Sequence, residues 1–140
     1  MKITKILLPV DGSEYSLNAA TEAIDLASKF NAEIMVLYCS ETFQNLKQFK
    51  EFSVESLEYA NQVLTPVREM MEKHKALYSE RVVDNSPSEE IPRIAEKEKV
   101  DLIIMAPRGT NPLASILLGS VTTRVLKQAP CNVLVVHKKH

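Results

Sequence analysis

The sequence predicts a single α/β domain with a doubly wound, five-stranded parallel sheet in the order 3-2-1-4-5 and helices on both faces. Four apolar runs have the length and composition of parallel strands that are covered on both faces; they are Ile6–Val10, Ile34–Leu37, Leu102–Met105 and Val133–Val136. Segments with apolar residues at helical spacing separate these runs, as is typical of a doubly wound fold. With 140 residues, 45% of them hydrophobic, the chain is large enough for one such domain over residues 1–140.

A fifth strand is predicted at Tyr78–Val83, which is more polar than the other four. A polar strand suits a sheet edge, where one flank lies near water. With this strand at an edge, the chain winds outward from strand one to strand three and then crosses back to place strand four beside strand one. The loops after strands one and four therefore meet where the strand order reverses, and open parallel sheets bind ligands at that point.

Capping residues and prolines mark the predicted helix boundaries. Ser13 can cap the helix that follows strand one. Ser86 precedes a proline and fits a cap, but Pro92 then lies too far into the helix to be free of cost, so a later start fits equally well. A long helix predicted over residues 54–75 contains Pro66, which should kink or split it.

Charge and cysteine content narrow the class of protein. Seventeen basic and eighteen acidic residues give a formal net charge of −1, which argues against binding to nucleic acid or to an anionic membrane. No apolar run approaches the ~18 residues of a membrane span, and the N-terminus lacks a signal-peptide core. We therefore expect a cytoplasmic protein. Cys39 and Cys131 fit buried, reduced thiols better than a disulfide or a metal site.

The two loops at the reversal point carry residues that suit a phosphorylated ligand. After strand four, Met105-Ala106-Pro107-Arg108-Gly109 is followed, after nine intervening residues, by Gly119-Ser120. A strand that leads into a glycine-spaced loop and a helix start can hold a phosphate group. After strand one, Asp11 can accept hydrogen bonds from a ribose hydroxyl or a base, or position a cation bound to phosphates. A simple strand-to-helix turn explains Asp11-Gly12 equally well.

Gly119 and Arg108 each have a structural and a functional interpretation. Asn111-Pro112 fits a cap and first residue of a short helix over residues 113–118, for which Gly119 would be the left-handed terminator. In the functional interpretation, Gly119-Ser120 opens the last helix, predicted at Val121–Gln128, whose positive end favours an anion. Arg108 can contact a phosphate, although most such arginines are solvated surface residues.

Three segments make the chain resemble the universal stress protein family over essentially its whole length. They are Pro9-Val10-Asp11-Gly12-Ser13, the Gly109-x9-Gly119-Ser120 loop, and the ending from Arg124 to Val136. The resemblance implies an adenine nucleotide, ATP first and AMP or ADP as alternatives, with Mg²⁺ or Mn²⁺ accompanying ATP. No metal site formed by protein side chains alone is expected.

The resemblance also implies where each part of the nucleotide would lie. It implies that Asp11 is near the adenosine, that Pro9 and Val10 line its pocket, and that Cys39 and Met105 lie beside the adenine. The residues expected around the phosphates are Gly109, Gly119, Ser120, Val121 and Thr122. With Ala106 and Arg108 from the same loop, these residues form the candidate nucleotide-binding site.

The sequence departs from the family pattern at two positions. Ala106 stands where the family loop has its first glycine. If this position needs a positive φ the cost is of order 1 kcal/mol, and the methyl group can also obstruct the ligand, which would reduce affinity without abolishing it. Pro107 favours an extended backbone at Ala106, which alanine adopts without strain. Asn85 stands where the family often has glycine, and asparagine tolerates a left-handed backbone.

The resemblance implies a regulatory protein of the stress response, and the residues predict that it is not an enzyme. His74 lies in the long helix, and His137 and His140 lie at the C-terminus, so no nucleophile, base and orienting group can be assembled near the predicted site. A phosphate-binding loop of the G-x-x-x-x-G-K-S/T type is also absent from the sequence. Two alternatives remain: a nucleotide-free interaction module of the same fold, and a weak ATPase.

The last strand predicts how the chain self-associates. Asn132–Val136 would form a sheet edge with no interior charge or proline to discourage pairing. Two copies can satisfy both edges by pairing this strand around a two-fold axis, and the family resemblance implies the same. We therefore expect a homodimer, and a regulatory protein partner that the sequence does not identify.

Overall fold

The computed structural model describes residues 2–41, 54–109 and 118–137, and within them strands and helices alternate along the chain. The elements are β1 (Lys5–Val10), α1 (Glu14–Phe30), β2 (Glu33–Ser40), α2 (Val54–Lys73), β3 (Tyr78–Asp84), α3 (Pro87–Lys97), β4 (Leu102–Met105), α4 (Ser120–Gln128) and β5 (Asn132–Val135). The strands form one parallel sheet in the order β3-β2-β1-β4-β5. The predicted fold class and strand order are confirmed.

The sheet is covered on both faces because its central strand sends apolar side chains to each side. Ile6 and Leu8 of β1 pack into a buried cluster with apolar residues of α1 and α2. Leu7, between them in the chain, packs into a second cluster with Ile94 of α3 and Val125 of α4. All three β1 side chains are fully buried. A strand that is buried on both faces reads as a continuous apolar run, which explains the pattern in the sequence.

β3 is an edge strand, as its polar composition predicts, and its residues are half-buried or exposed. Arg68 of α2 covers part of this strand and makes an ion pair with Glu80, in which its Nη2 donates to Oε2 at 2.9 Å. A charged edge of this kind discourages pairing with a further strand.

The helix boundaries follow most of the predicted signals. Ser13 caps α1, because its Oγ accepts the backbone N–H of Ser16 at 3.2 Å. α3 begins directly after Ser86, although the Ser86 hydroxyl makes no capping hydrogen bond. The predicted split at Pro66 is wrong, since α2 is one continuous helix across it. Packing of the buried apolar face of α2, which includes Met71, compensates for the hydrogen bond that proline cannot make.

The described part of the chain also shows the state of the cysteines and the character of the helices. Both cysteines are free thiols, as predicted, but they are half-buried and not buried as the sequence suggested. Within the described residues, no helix combines the length and the apolar character needed to cross a membrane.

Asp101 joins the starts of β1 and β4. Its Oδ2 accepts the backbone N–H of Thr4 at 2.9 Å, the Thr4 hydroxyl at 2.9 Å and the backbone N–H of Lys5 at 3.0 Å. These hydrogen bonds, that of the Thr4 backbone first, hold the pKa of Asp101 below its ordinary value of 3.8. The carboxylate therefore stabilises the fold in its ionised form.

We predict that Asp101→Asn lowers the free energy of unfolding by about 1 kcal/mol near neutral pH. Because the pKa is depressed in the folded state, the ionised group contributes fully above its unfolded value of 3.8. That contribution is lost as the pH falls through the folded-state value, so the gap between wild type and variant should close in acid. Urea unfolding of wild type and variant at neutral pH and near pH 3 measures this difference in the free energy of unfolding.

Asp25→Asn is the matched control, because Asp25 is exposed and forms its ion pair with Lys29, which is exposed as well, one turn further along α1. An exposed pair contributes little, so we expect a change below about 0.5 kcal/mol at both pH values. A gap for Asp101→Asn that stays constant with pH would contradict the prediction.

Candidate functional site

A cleft of about 110 Å³ opens beyond the carboxyl ends of β1 and β4, where the strand order reverses. Ten of the twelve predicted site residues line it, and Gly119 and Ser120 do not. The lining residues are Pro9, Val10, Asp11, Ser16, Leu37, Cys39, Pro87, Ile91, Met105, Ala106, Arg108, Gly109, Val121 and Thr122. Apart from one acidic and one basic residue, this lining is uncharged and largely apolar.

The Asp11-Gly12 turn performs the structural role that its sequence suggests. Asp11 Oδ1 accepts the backbone N–H of Ser13 at 2.9 Å, which closes the turn between β1 and α1. Gly12 has a φ of +87°, in the left-handed region, and a Cβ there would lie 3.2 Å from Val63. Only glycine fits this position without strain. The turn thus fixes the direction of the Asp11 side chain.

Gly109 and Gly119 lie at points of close approach, and neither has a left-handed backbone. A Cβ on Gly109 would overlap Asp11 Oδ2, so the carboxylate of the first loop lies against the backbone of the second. A Cβ on Gly119 would lie 3.3 Å from the Cα of Arg108. The two glycines therefore let backbone and side chains meet at the reversal point.

The prediction that Gly119 is a left-handed helix terminator is wrong. Gly119 has a φ of −66° and a ψ of 161°, and it is the N-cap of α4. Its N–H donates to the carbonyl of Pro107 at 2.8 Å, which brings the start of α4 back to the end of β4. A short helix was predicted over residues 113–118. All but the last of these residues lie in the segment 110–117, which is outside the described residues.

The N-terminus of α4 lies beside the cleft, and its N-cap residue is a glycine. The helix begins at Ser120, one residue before the predicted start, and Gly119 offers no side chain to cap the N–H groups of the first turn. Such N–H groups and the positive end of the helix dipole attract anions. Ser120 is exposed at this end, whereas Thr122 is buried and lines the cleft.

Ala106 has no left-handed backbone. It is not among the described residues with a positive φ, so the strain cost considered for alanine at this position does not arise. Its carbonyl accepts the Thr122 hydroxyl at 2.9 Å, which fixes the loop to α4. Asn85 is likewise outside the left-handed region; its side-chain amide donates to Glu90 at 2.9 Å.

Asp11 and Arg108 are the two charged residues of the cleft lining, considering the described part of the chain. Arg108 is not simply solvated, because its Nη2 donates to the hydroxyl of Tyr15 at 3.1 Å. The guanidinium carbon also lies 4.7 Å from the centre of the Tyr15 ring, within the range of a cation–π contact. The cleft therefore has one carboxylate and one cation held in place.

Cys39 contributes an unreactive thiol to the wall. Burial raises its pKa to about 12, and the nearby carboxylates of Glu90 and Glu41 add to this effect. The thiol is thus protonated at neutral pH, and a protonated thiol is a poor nucleophile. Glu90 can act on Cys39 as a charged group because hydrogen bonds from Arg93 lower the pKa of the Glu90 carboxyl, although this residue is buried.

Four lining residues were not predicted from the sequence: Ser16, Leu37, Pro87 and Ile91. Leu37 pairs with Pro9 in the β1–β2 register, so alignment of the two apolar runs could have identified it. Pro87 and Ile91 are spaced four apart at the start of α3 and share one helix face. That helical spacing, directly after a strand, was the available signal.

Relatives of the chain were found among sequences and solved structures. Universal stress protein MJ0531 of Methanocaldococcus jannaschii is 39% identical over 139 residues, which cover 96% of this chain and 82% of that protein. The solved structure of MJ0577, a universal stress protein of the same organism, has a TM-score of 0.86 and 31% identity, covering 100% of this chain and 99% of that chain. A crystal structure of a universal stress protein in complex with cAMP has a TM-score of 0.73 and 25% identity, covering 98% of each chain.

A model of a known protein family matches nearly the whole chain. The model of the universal stress protein family matches residues 2–137, which include all five strands and both loops at the reversal point. The chain belongs to the universal stress protein family.

Proposed function

We propose that this protein is a stress-response regulator that binds an adenine nucleotide, ATP foremost and AMP or ADP as alternatives, in the cleft between β1 and β4. The observation that carries the proposal is an apolar cleft at the reversal point, with Asp11 and Arg108 as its charged lining residues and the N-terminus of α4, which has glycine at its N-cap, beside it. The relative that was crystallised with cAMP supports an adenine ligand. Occupancy of the cleft would alter the surrounding loops and hence contacts with a protein partner.

Each part of the cleft suits one part of a nucleotide. The side chains of Leu37 and Met105 offer apolar surface for the adenine. The Asp11 carboxylate can accept a hydrogen bond from a ribose hydroxyl. Arg108 and the N–H groups of the first turn of α4 suit the phosphates. Binding would therefore use apolar contacts at one end and charge at the other.

A divalent ion would accompany the phosphates and would not have a cage of protein ligands. No group of three His, Cys, Asp or Glu side chains that could hold a metal occurs in the segments that the structure describes. Mg²⁺ binds readily through phosphate oxygens, water and one carboxylate. In the cleft, Asp11 is the carboxylate available for that role, and Mg²⁺ or Mn²⁺ would supply charge neutralisation of the phosphates.

We propose further that the protein acts by binding and not by catalysis. The described lining residues include one carboxylate and no histidine, and the Cys39 thiol is protonated. Nucleophilic catalysis needs an activated nucleophile with a base within hydrogen-bond reach. These residues do not supply such a pair.

Replacement of Asp11 tests the nucleotide site. We expect Asp11→Ala to weaken ATP binding about tenfold, because it removes a charged hydrogen-bond acceptor. Isothermal titration calorimetry against ATP, AMP and cAMP measures the affinity. The control is Asp25→Ala on the exposed face of α1, for which the ATP affinity should equal that of the wild type.

The same measurements distinguish the two alternatives. If the wild-type protein gives no heat at millimolar ligand and native mass spectrometry finds no bound nucleotide, the nucleotide-free interaction module replaces our proposal. If saturating ATP gives phosphate release that Asp11→Ala abolishes and Asp25→Ala retains, the weak ATPase replaces it.

Replacement of Ala106 by glycine tests whether its methyl group obstructs the ligand. Because Ala106 is outside the left-handed region, glycine relieves no backbone strain there. We therefore expect Ala106→Gly to change the ATP affinity by less than about threefold, measured by the same calorimetry. A tightening of tenfold or more would show that the methyl group blocks the site.

We also propose a homodimer that forms through β5. This strand lies at the edge of the sheet, and its side chains alternate between half-buried and exposed, with Leu134 38% exposed. An apolar edge without charges favours pairing with a second copy. The interface would continue the sheet from one protomer into its partner.

Leu134→Lys tests the dimer. A charge on the pairing strand should convert the protein to a monomer at micromolar concentration, as measured by sedimentation velocity. Leu77→Lys is the matched control, because Leu77 is 69% exposed and lies before β3 at the opposite edge. A wild-type protein that sediments as a monomer at every concentration would contradict the proposal.

A further inference from the structure

The contact between Tyr15 and Arg108 joins the two loops on which the cleft depends. Tyr15 lies in the first turn of α1, directly after the β1 loop, and Arg108 lies in the loop after β4. The arginine donates to the tyrosine hydroxyl at 3.1 Å, and its guanidinium lies 4.7 Å from the ring centre. Two different interactions therefore fix one side chain at the mouth of the cleft.

We propose that Tyr15 is a positioning residue that holds Arg108 for phosphate and thereby makes the site select nucleotides over nucleosides. The inference rests on the proposed function, because it concerns the ligand class of the same cleft. Tyr15 itself is not a lining residue of the cleft, so it would act through the arginine.

Tyrosine is suited to this role because it orients a cation without cancelling its charge. A tyrosine offers the face of its ring and a neutral hydroxyl. Neither of the two Tyr15 contacts therefore places an opposing charge on the guanidinium of Arg108.

Holding the arginine in advance also reduces the cost of binding. An arginine side chain has several rotatable bonds, and fixing it on ligand binding costs conformational entropy. A guanidinium carries five N–H donors, so it can contact a phosphate while it is bound to Tyr15. The benefit applies only to ligands with a phosphate, which is why it produces selectivity.

The test compares ATP and adenosine in calorimetry for four variants: Tyr15→Phe, Tyr15→Leu, Arg108→Gln and the double variant Tyr15→Leu/Arg108→Gln. We expect Arg108→Gln to weaken ATP binding about tenfold and Tyr15→Leu about three- to fivefold. Tyr15→Phe keeps the ring and should fall between Tyr15→Leu and wild type. Adenosine affinity should stay within about twofold in all four, and the double variant should be no weaker for ATP than Arg108→Gln.

Tyr59→Leu is the matched control, because Tyr59 is an exposed tyrosine on α2 and does not line the cleft. Its ATP affinity should equal that of the wild type. Thermal unfolding of each variant identifies a loss of fold, and Tyr15→Phe carries the test if Tyr15→Leu does not fold.

The outcomes separate this proposal from the proposed function. If wild type binds neither ATP nor adenosine, the nucleotide site fails and the selectivity proposal fails with it. If wild type binds both equally, or if the Tyr15 variants weaken both ligands alike, Tyr15 has only a structural role and the proposed function stands. Loss that is specific to ATP and absent in the Arg108→Gln background supports the proposal.

Discussion

The pairing of β1 with β4 is the constraint on which the candidate site depends. The two strands pair through Ile6 with Leu102 and Leu7 with Ile103, whereas β1 and β2 stay in register up to Val10. The paired residues of β1 and β4 end at Leu7 and Ile103, and the cleft lies beyond the carboxyl ends of the two strands. The strong apolar burial of Leu7 and Ile103 holds the strands together below this point. The buried sheet thus carries the two loops that border the cleft at the point where the strand order reverses.

The loops at the reversal point are held by contacts that serve two purposes. Asp11 closes its own turn with one carboxylate oxygen and packs its other oxygen against Gly109. The carbonyl of Ala106 accepts the Thr122 hydroxyl, and that of Pro107 accepts the N–H of Gly119, so the loop after β4 is fixed to α4. The structural and functional interpretations of these residues are thus compatible, because the contacts that shape the turns also orient the groups that would face a ligand.

The sequence predicted the sheet, its order and most of the cleft, and the physical reasons are visible. Continuous apolar runs are typical of strands buried on both faces, and the polar composition of β3 is typical of an edge strand. Together they predict the strand order. Backbone conformation was less predictable. The sequence left two roles open for Gly119, because a glycine between two helical patterns fits a terminator and an N-cap alike. The observed φ of −66° excludes the terminator and leaves the N-cap. The contact of Arg108 with Tyr15 could not be predicted, because it depends on the pairing of β1 with β4, which brings the two loops together.

The close approach at Gly109 couples two positions that are far apart in the chain. A side chain at 109 would overlap the carboxylate at Asp11, so any residue with a Cβ there would move the acid from its place or require a smaller residue in its stead. Changes at positions 11 and 109 are therefore not independent. A descendant of this chain that lost the glycine would lose the orientation of the acid as well, so the two residues would be retained or lost together during divergence.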